Sequence, residues 1–216
     1  MADTQISHPD EEQRKFGADM MSLMTPIVKA FMTDNGFLCA SECLQVFGGH
    51  GYIRENGMEQ FVRDARINMI YEGTNTIQAL DLIGRKLGAK GGAVLMSVLN
   101  RINTFAARAK KHERLGELGK SFEAAKNELV KVTMGLRAKG AANPYYPVSY
   151  ATPYLHMFGE VIFAYLLLDM AVLADEKLEA LYAEKGAATD EAKKALRADH
   201  PEAAFYWGKV QSARFF

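Results

Sequence analysis

The chain has almost nothing that would build a sheet: no run alternates apolar and polar residues for long, and the β-branched side chains are scattered through helical patterns. An all-α fold is expected. Cysteine is nearly absent. Cys39 and Cys43 stand four apart with no CxxC and no histidine near enough to complete a zinc site, so no metal is expected and both read as small buried thiols in a reducing compartment. Neither sign of charge is in excess: Lys plus Arg number 26 and Asp plus Glu number 26, leaving no global field to steer the protein to nucleic acid or an anionic membrane. The opening MADTQISHPDEE is acidic and polar where a secretory signal needs a basic start and an apolar run, so a cytoplasmic location is expected. The most apolar stretch, 161–173, is 13 residues long and contains Asp169, short of the roughly 20 that span a bilayer. It reads as a buried core helix, with no membrane partner. Internal repeats and low-complexity tracts are missing too.

What remains is an ordinary globular composition, 49% hydrophobic and 24% charged over 216 residues. Met20, Met24, Ile27 and Phe31 make one apolar stripe of a first helix from Glu11 to Thr33, which Pro26 should kink or set in register. Asp34-Asn35-Gly36 reads as a turn, followed by a second helix from Leu38 to Phe47. Further helices are predicted through Phe61, Ala65 and Ile70, and from Asn75 to Leu87. The GAKGG segment, 88–92, reads as a linker. Beyond it two amphipathic helices are expected to join near Gly116–Gly119, then a Pro- and Tyr-rich connector leads into a long helix from Tyr154 to Tyr182. Residues 175–199 carry 12 charged side chains and read as a solvated tip, and a last helix carries Trp207.

Two strings carry chemistry. QVFGGHGY, 45–52, ends a helix with three glycines in four residues, more backbone freedom than a C-cap needs, and such a turn lets another molecule approach the main chain. IYEGTNTIQ, 70–78, sets Glu72 between an apolar helix end and a Gly-Thr break. Beside apolar neighbours a carboxylate rises toward the working range of a general base, although most glutamates at helix ends only cap or face water.

Bridged by MEQFVRDARINM, the two strings resemble the C-terminal domain of the acyl-CoA dehydrogenase family. The resemblance implies that Gln45, Gly48 and Gly49 touch the adenine-nucleotide half of an FAD held mainly by a neighbouring subunit, that Thr74 contacts the flavin and Tyr71 the acyl-CoA substrate, and that Glu72 is the catalytic base. Gly84 falls where some relatives carry an arginine, with Arg85 displaced by one. Arg63 and Asp64 match the family string and read as part of an ion pair between helices. The wider string TPIVKAFMTDNGF through LIGRKLG is most similar to the branch with the methylmercaptopropionyl-CoA dehydrogenases, which adds a helical domain. The implied layout is an incomplete C-terminal four-helix bundle at 1–88 and a helical-bundle extension at 89–216. The family's N-terminal helical domain and middle β-domain are missing, which implies a fragment or one piece of a split enzyme, inactive alone and completed by a homo-oligomer or a partner chain. Two other readings stay open: a non-catalytic helical oligomerisation fragment, and part of an acyl-CoA oxidase. Nucleic-acid binding rests only on Arg108, Lys110, Lys111 and Arg114, which a solvated helix face explains.

Overall fold

The computed structural model describes residues 2–215, and among these no strand occurs. A short α1 (Ala2–Ser7) precedes α2 (Glu11–Val46), a 36-residue helix. Asp10 starts α2 by accepting the Glu12 N–H at 2.9 Å, and Glu11 and Glu12 in the first turn suit the positive end of the helix dipole. The expected turn at Asp34-Asn35-Gly36 is not there: α2 runs through it. The side chains that make such a trio a turn are engaged elsewhere. Asn35 Nδ2 donates to the Phe31 carbonyl one turn back, and the Asp34 carboxylate meets Asn75 and His156. The buried side of α2 also differs from the predicted stripe, with Leu23, Pro26, Ile27 and Ala30 inside and Met20, Met24 and Phe31 half-buried.

Two 3₁₀ turns (Gly48–Tyr52 and Arg54–Asn56) lead into α3 (Met58–Asn68), and α4 (Asn75–Asp81) continues into a π turn (Leu82–Lys86). Then come α5 (Ala93–Ala109), α6 (Gly116–Ala142), the short α7 (Tyr145–Ser149), α8 (Ala151–Glu184), α9 (Asp190–Asp199) and α10 (Pro201–Phe215). The α5–α6 connection lies before Gly116 rather than at Gly116–Gly119. Gly119 is inside α6, where a β-carbon would stand 2.5 Å from the Ala109 carbonyl carbon and the Lys110 nitrogen, so glycine is what lets this corner close.

The chain forms two compact units, Met1–Leu99 with Lys131–Gly159, and Asn100–Val130 with Glu160–Phe216. The division falls within α5, α6 and α8, and the GAKGG segment lies inside the first unit. In the first unit Leu23, Ile27, Ala79, Leu82, Val98, Leu155 and Phe158 are fully buried, each large one contributing about 1.5–3 kcal/mol by leaving water. Tyr154 is buried against Thr133 with hydroxyls 2.8 Å apart, and burial pushes its phenol up to about 12. Of the connector's other tyrosines, Tyr145 and Tyr150 are exposed.

In the second unit Phe105 meets Phe122 and Tyr165 edge-on, with ring centres 5.9 and 5.0 Å apart. Leu178, Leu181, Tyr182, Ala187 and Ala203 form a further cluster against Tyr206 and Trp207. The charged tip is not merely solvated. Asp175 is only 3% exposed and pairs with Arg114 at 3.1 Å, and Arg114 also binds Glu179. Burial raises the Asp175 carboxyl, with Arg114 and His112 pulling the other way. A cavity of about 900 Å³ opens there beside Trp207. The basic run is similarly engaged, Arg108 with Asp169 and Lys110 with Glu123.

Two expectations from the apolar and sulfur residues also change. Cys39 and Cys43 are exposed, because they lie on the uncovered C-terminal half of α2. The apolar run 161–173 belongs to a 34-residue helix, long and apolar enough by itself to cross a bilayer. Its length excludes nothing, and the burial of Val161, Leu168, Ala171 and Val172 in the bundle accounts for their apolarity.

Candidate active site

The chain leaves α3 at Asn68 and turns sharply before α4. The Ile70 and Tyr71 amides both donate to the Ile67 carbonyl, and the Asn75 amide closes the turn on the Met69 carbonyl at 3.3 Å. Between them Glu72 sits at φ 54° and Gly73 at φ 85°. Glycine takes that conformation freely, but a glutamate there costs about 1–2 kcal/mol. Such a residue persists only where its surroundings over-determine it.

The surroundings are a polar clamp from α2. Lys29 Nζ donates to the Gly73 carbonyl at 2.8 Å and to Asn75 Oδ1 at 2.7 Å. Asn75 Nδ2 in turn donates to Asp34 Oδ1 at 2.6 Å and to Thr33 Oγ1 at 3.0 Å. Gln78 Nε2 donates to the Glu72 carbonyl at 3.1 Å, so the backbone is held on both sides of the strained peptide. Burial pulls the Lys29 ammonium below its usual value, and the carboxylates of Asp34 and Glu72 oppose that pull.

Tyr71, Glu72 and Thr74 share this turn, and all three are exposed. The apolar neighbours expected around Glu72 are present, but Ile70, Tyr71 and Ile77 are themselves uncovered. Within this chain the carboxylate therefore stands in water.

Gln45, Gly48 and Gly49 lie at the other end of α2. From Lys29 to Val46 the helix rises about 25 Å at ~1.5 Å per residue, so the two strings form separate surfaces. The glycines do different work. Gly48 has φ 59°, and Gly51 is buried where a β-carbon would stand 2.6 Å from the Leu44 carbonyl oxygen. Gly49 has neither constraint. Nothing lies within 4 Å of where its β-carbon would be, and its φ is not left-handed. Packing thus explains Gly51 and backbone conformation explains Gly48, while Gly49 has no internal reason to be glycine and lies with Gly48 on exposed main chain.

Arg85 is taken up by Asp81 one turn earlier at 2.6 Å, which holds its guanidinium above the ordinary value. Asp64 accepts from Gln60 at 2.7 Å rather than pairing with Arg63, which lines a groove with Phe37, Arg66 and Ile70. Sequence reasoning missed the clamp. Its one signal was Lys29 itself, a lysine inside the apolar run PIVKAF with no acidic residue one turn to either side.

Two family descriptions cover nearly the whole chain. Residues 1–88 match "Acyl-CoA dehydrogenase, C-terminal domain" and residues 98–216 match "Acetyl-CoA dehydrogenase C-terminal like". A butyryl-CoA dehydrogenase of Syntrophomonas wolfei is 33% identical over 215 residues, covering 98% of this chain and 32% of the relative. The 3-methylmercaptopropionyl-CoA dehydrogenase of Ruegeria pomeroyi is 33% identical over 179 residues, covering 79% of this chain and 29% of that one. Among solved structures, Caenorhabditis elegans ACDH-11 in complex with C11-CoA matches with a TM-score of 0.63 at 26% identity, over 73% of this chain and 26% of that one. The chain belongs to the acyl-CoA dehydrogenase family and has the helical fold of its C-terminal part. It spans about a third of the length of the relatives it matches.

Proposed function

We propose that the chain supplies the catalytic base of an FAD-dependent acyl-CoA dehydrogenase that removes hydrogen from the α and β carbons of an acyl-CoA thioester. The observation that carries this reading is Glu72 held at φ 54° by a dedicated clamp and presented outward among uncovered apolar side chains. A strained carboxylate that the chain does not use for its own packing is a candidate for chemistry.

In this reading a carboxylate oxygen of Glu72 takes the proton from the carbon next to the thioester carbonyl. FAD, when bound, supplies the acceptor for the hydride equivalent that leaves the β carbon. Gln45, Gly48 and Gly49, at the far end of α2, would hold the edge of an FAD bound mainly by a neighbouring subunit, whereas Thr74 would touch the flavin beside Glu72 and Tyr71 would lie against the substrate. A thioester α-proton is far too weakly acidic for a carboxylate in water. Catalysis therefore needs Glu72 covered, the thioester oxygen hydrogen-bonded and the reacting atoms held in line. This chain provides the base and its backbone clamp, and the cover comes from the FAD- and acyl-CoA-binding parts of the enzyme, in the same polypeptide or a partner chain. Exposure of Glu72 supports a chain that does not turn over by itself.

The test is Glu72→Gln in the FAD-loaded enzyme that contains this chain. Glutamine keeps the volume and a carbonyl oxygen but takes up no proton, so acyl-CoA-dependent flavin reduction should vanish while substrate and FAD binding stay near normal. Stopped-flow bleaching of the flavin within about tenfold of the parent rate, roughly 1.4 kcal/mol of barrier, would overturn the assignment. The same exposure of Glu72 favours the other reading, a helical module without turnover, and in that case no completed enzyme would reduce its flavin with acyl-CoA.

A further inference from the structure

The clamp on the Glu72 turn does not end at α2. Asp34 uses both carboxylate oxygens: Oδ1 accepts from Asn75 Nδ2 at 2.6 Å, and Oδ2 meets His156 Nε2 at 2.9 Å. The polar chain therefore runs from His156 through Asp34 and Asn75 to Lys29 and the Gly73 carbonyl, next to Glu72. His156 lies on α8, in the part matched by the second family description, whereas Lys29, Asp34 and Asn75 lie in the part matched by the first. The two helices approach closely at this point. A β-carbon on Gly159 would fall 2.5 Å from Phe31 Cγ, so glycine is what admits the Phe31 ring against α8, and that ring lies 6.1 Å from the His156 imidazole. Packing thus fixes His156 over the one turn of α2 that grips the strained loop.

We infer that His156 is a positioning residue for the catalytic base, through which the C-terminal extension braces the turn carrying Glu72. The brace works by restraint. Asp34 holds Asn75 well only while its own rotamer is fixed, and His156 with the Phe31–Gly159 contact fixes it. Free to rotate, Asp34 would turn toward water, Asn75 Nδ2 would lose its shortest contact, and Lys29, the one donor to the Gly73 carbonyl, would be anchored to a looser Asn75. Loops that carry reacting groups need this outer layer, because an ångström of misplacement weakens catalysis strongly. A surface ion pair with no such role would change neither the loop nor the chemistry.

The inference rests on Glu72 as the base, and two measurements separate the two ideas. The first uses the 216-residue chain itself and reads amide hydrogen exchange by NMR at Asn75 and Gln78, whose N–H groups bond to the Met69 and Thr74 carbonyls. His156→Ala should speed exchange at these amides at least tenfold while α6 amides between 120 and 130 stay within twofold, and His156→Gln, which keeps a donor for Asp34, should restore the loop. Asn75→Ala combined with His156→Ala should speed the loop no further than Asn75→Ala alone, as one connected chain requires. Unchanged loop exchange, or equal acceleration of all amides, would overturn the brace. The second measures flavin reduction in the FAD-loaded enzyme, where His156→Ala should slow reduction at least fivefold with KM little changed. If Glu72→Gln abolishes reduction but His156→Ala leaves it at the parent rate, the positioning role is overturned and the base stands. If Glu72→Gln reduces flavin normally while the exchange result holds, the base is overturned and His156 remains a brace of the loop with no part in catalysis.

Discussion

At the scale of single residues, Glu72 shows a conflict between comfort and use. Its left-handed backbone would suit glycine better, and the cost is met by three hydrogen bonds from Lys29 and Gln78. Glu72→Gly should raise the stability of the isolated chain by about 0.5–1 kcal/mol, because the strain disappears and no buried contact is lost. Urea denaturation followed by circular dichroism measures it, and a loss of stability would mean that the Glu72 side chain has a structural job. Lys29→Met should act in the opposite sense. It leaves the Gly73 carbonyl without its donor and Asn75 Oδ1 with only Thr33 Oγ1 at 3.2 Å, at about 1–3 kcal/mol. Lys29→Arg should recover only part of that, since a planar guanidinium does not occupy the space of a compact ammonium. The string around Glu72 was legible because glycine and threonine after a carboxylate are locally unusual. The clamp was not, because it joins residues more than forty positions apart and its one local trace, Lys29 in an apolar run, does not say which partner it takes.

At the scale of elements, periodicity identified the helices and misjudged their ends. The Asp34-Asn35-Gly36 trio has the composition of a turn, yet its side chains find partners one helical turn back or on other helices, so the backbone stays helical. Gly36 carries the consequence. It is exposed inside α2 with nothing within 4 Å of its missing β-carbon, so Gly36→Ala should stabilise the chain by about 0.5–1 kcal/mol and raise Tm. A turn there would predict the opposite, which makes this one measurement decisive about the continuity of α2. Gly119→Ala should do harm, since its methyl would press on the Ala109–Lys110 backbone that cannot move aside, at a cost of about 1–3 kcal/mol. Charge patterning failed in a similar way at 175–199. Counting charges gives a solvated tip, but Asp175 is drawn inside by Arg114 and His112, which come from the far-off α5–α6 connection.

At the scale of the whole molecule, the telling feature is what the chain leaves uncovered. The apolar stripe predicted on the first helix is largely covered by the chain itself, with Ile27 buried and Met20, Met24 and Phe31 half-buried. Val28 and Met32 stay exposed beside it, and a further group lies along the chain: Val46 at 86% and Phe47 at the end of α2, Tyr52 at 79% in the glycine turn, and Phe61 at 65% with Ile67 on α3. Val46, Phe47 and Tyr52 adjoin Gly48 and Gly49 in the chain, the residues proposed to meet a cofactor held largely by another subunit. On the proposed division of labour the isolated chain offers FAD only edge contacts, so its dissociation constant should be weaker than micromolar, and a submicromolar value from fluorescence titration would count against that proposal. The same surface should drive self-association. Covering even three of these side chains is worth several kcal/mol at about 1.5–3 kcal/mol each, and a dimer at ten micromolar needs only about 7 kcal/mol in total. Sedimentation of the parent chain should therefore show a concentration-dependent dimer at tens of micromolar. Phe61→Lys should shift it toward monomer while leaving the helical circular dichroism unchanged, because Phe61 lies outside the core. If the parent is a clean monomer throughout that range, this face is closed only by the FAD-bearing part of the enzyme and not by a second copy of the chain.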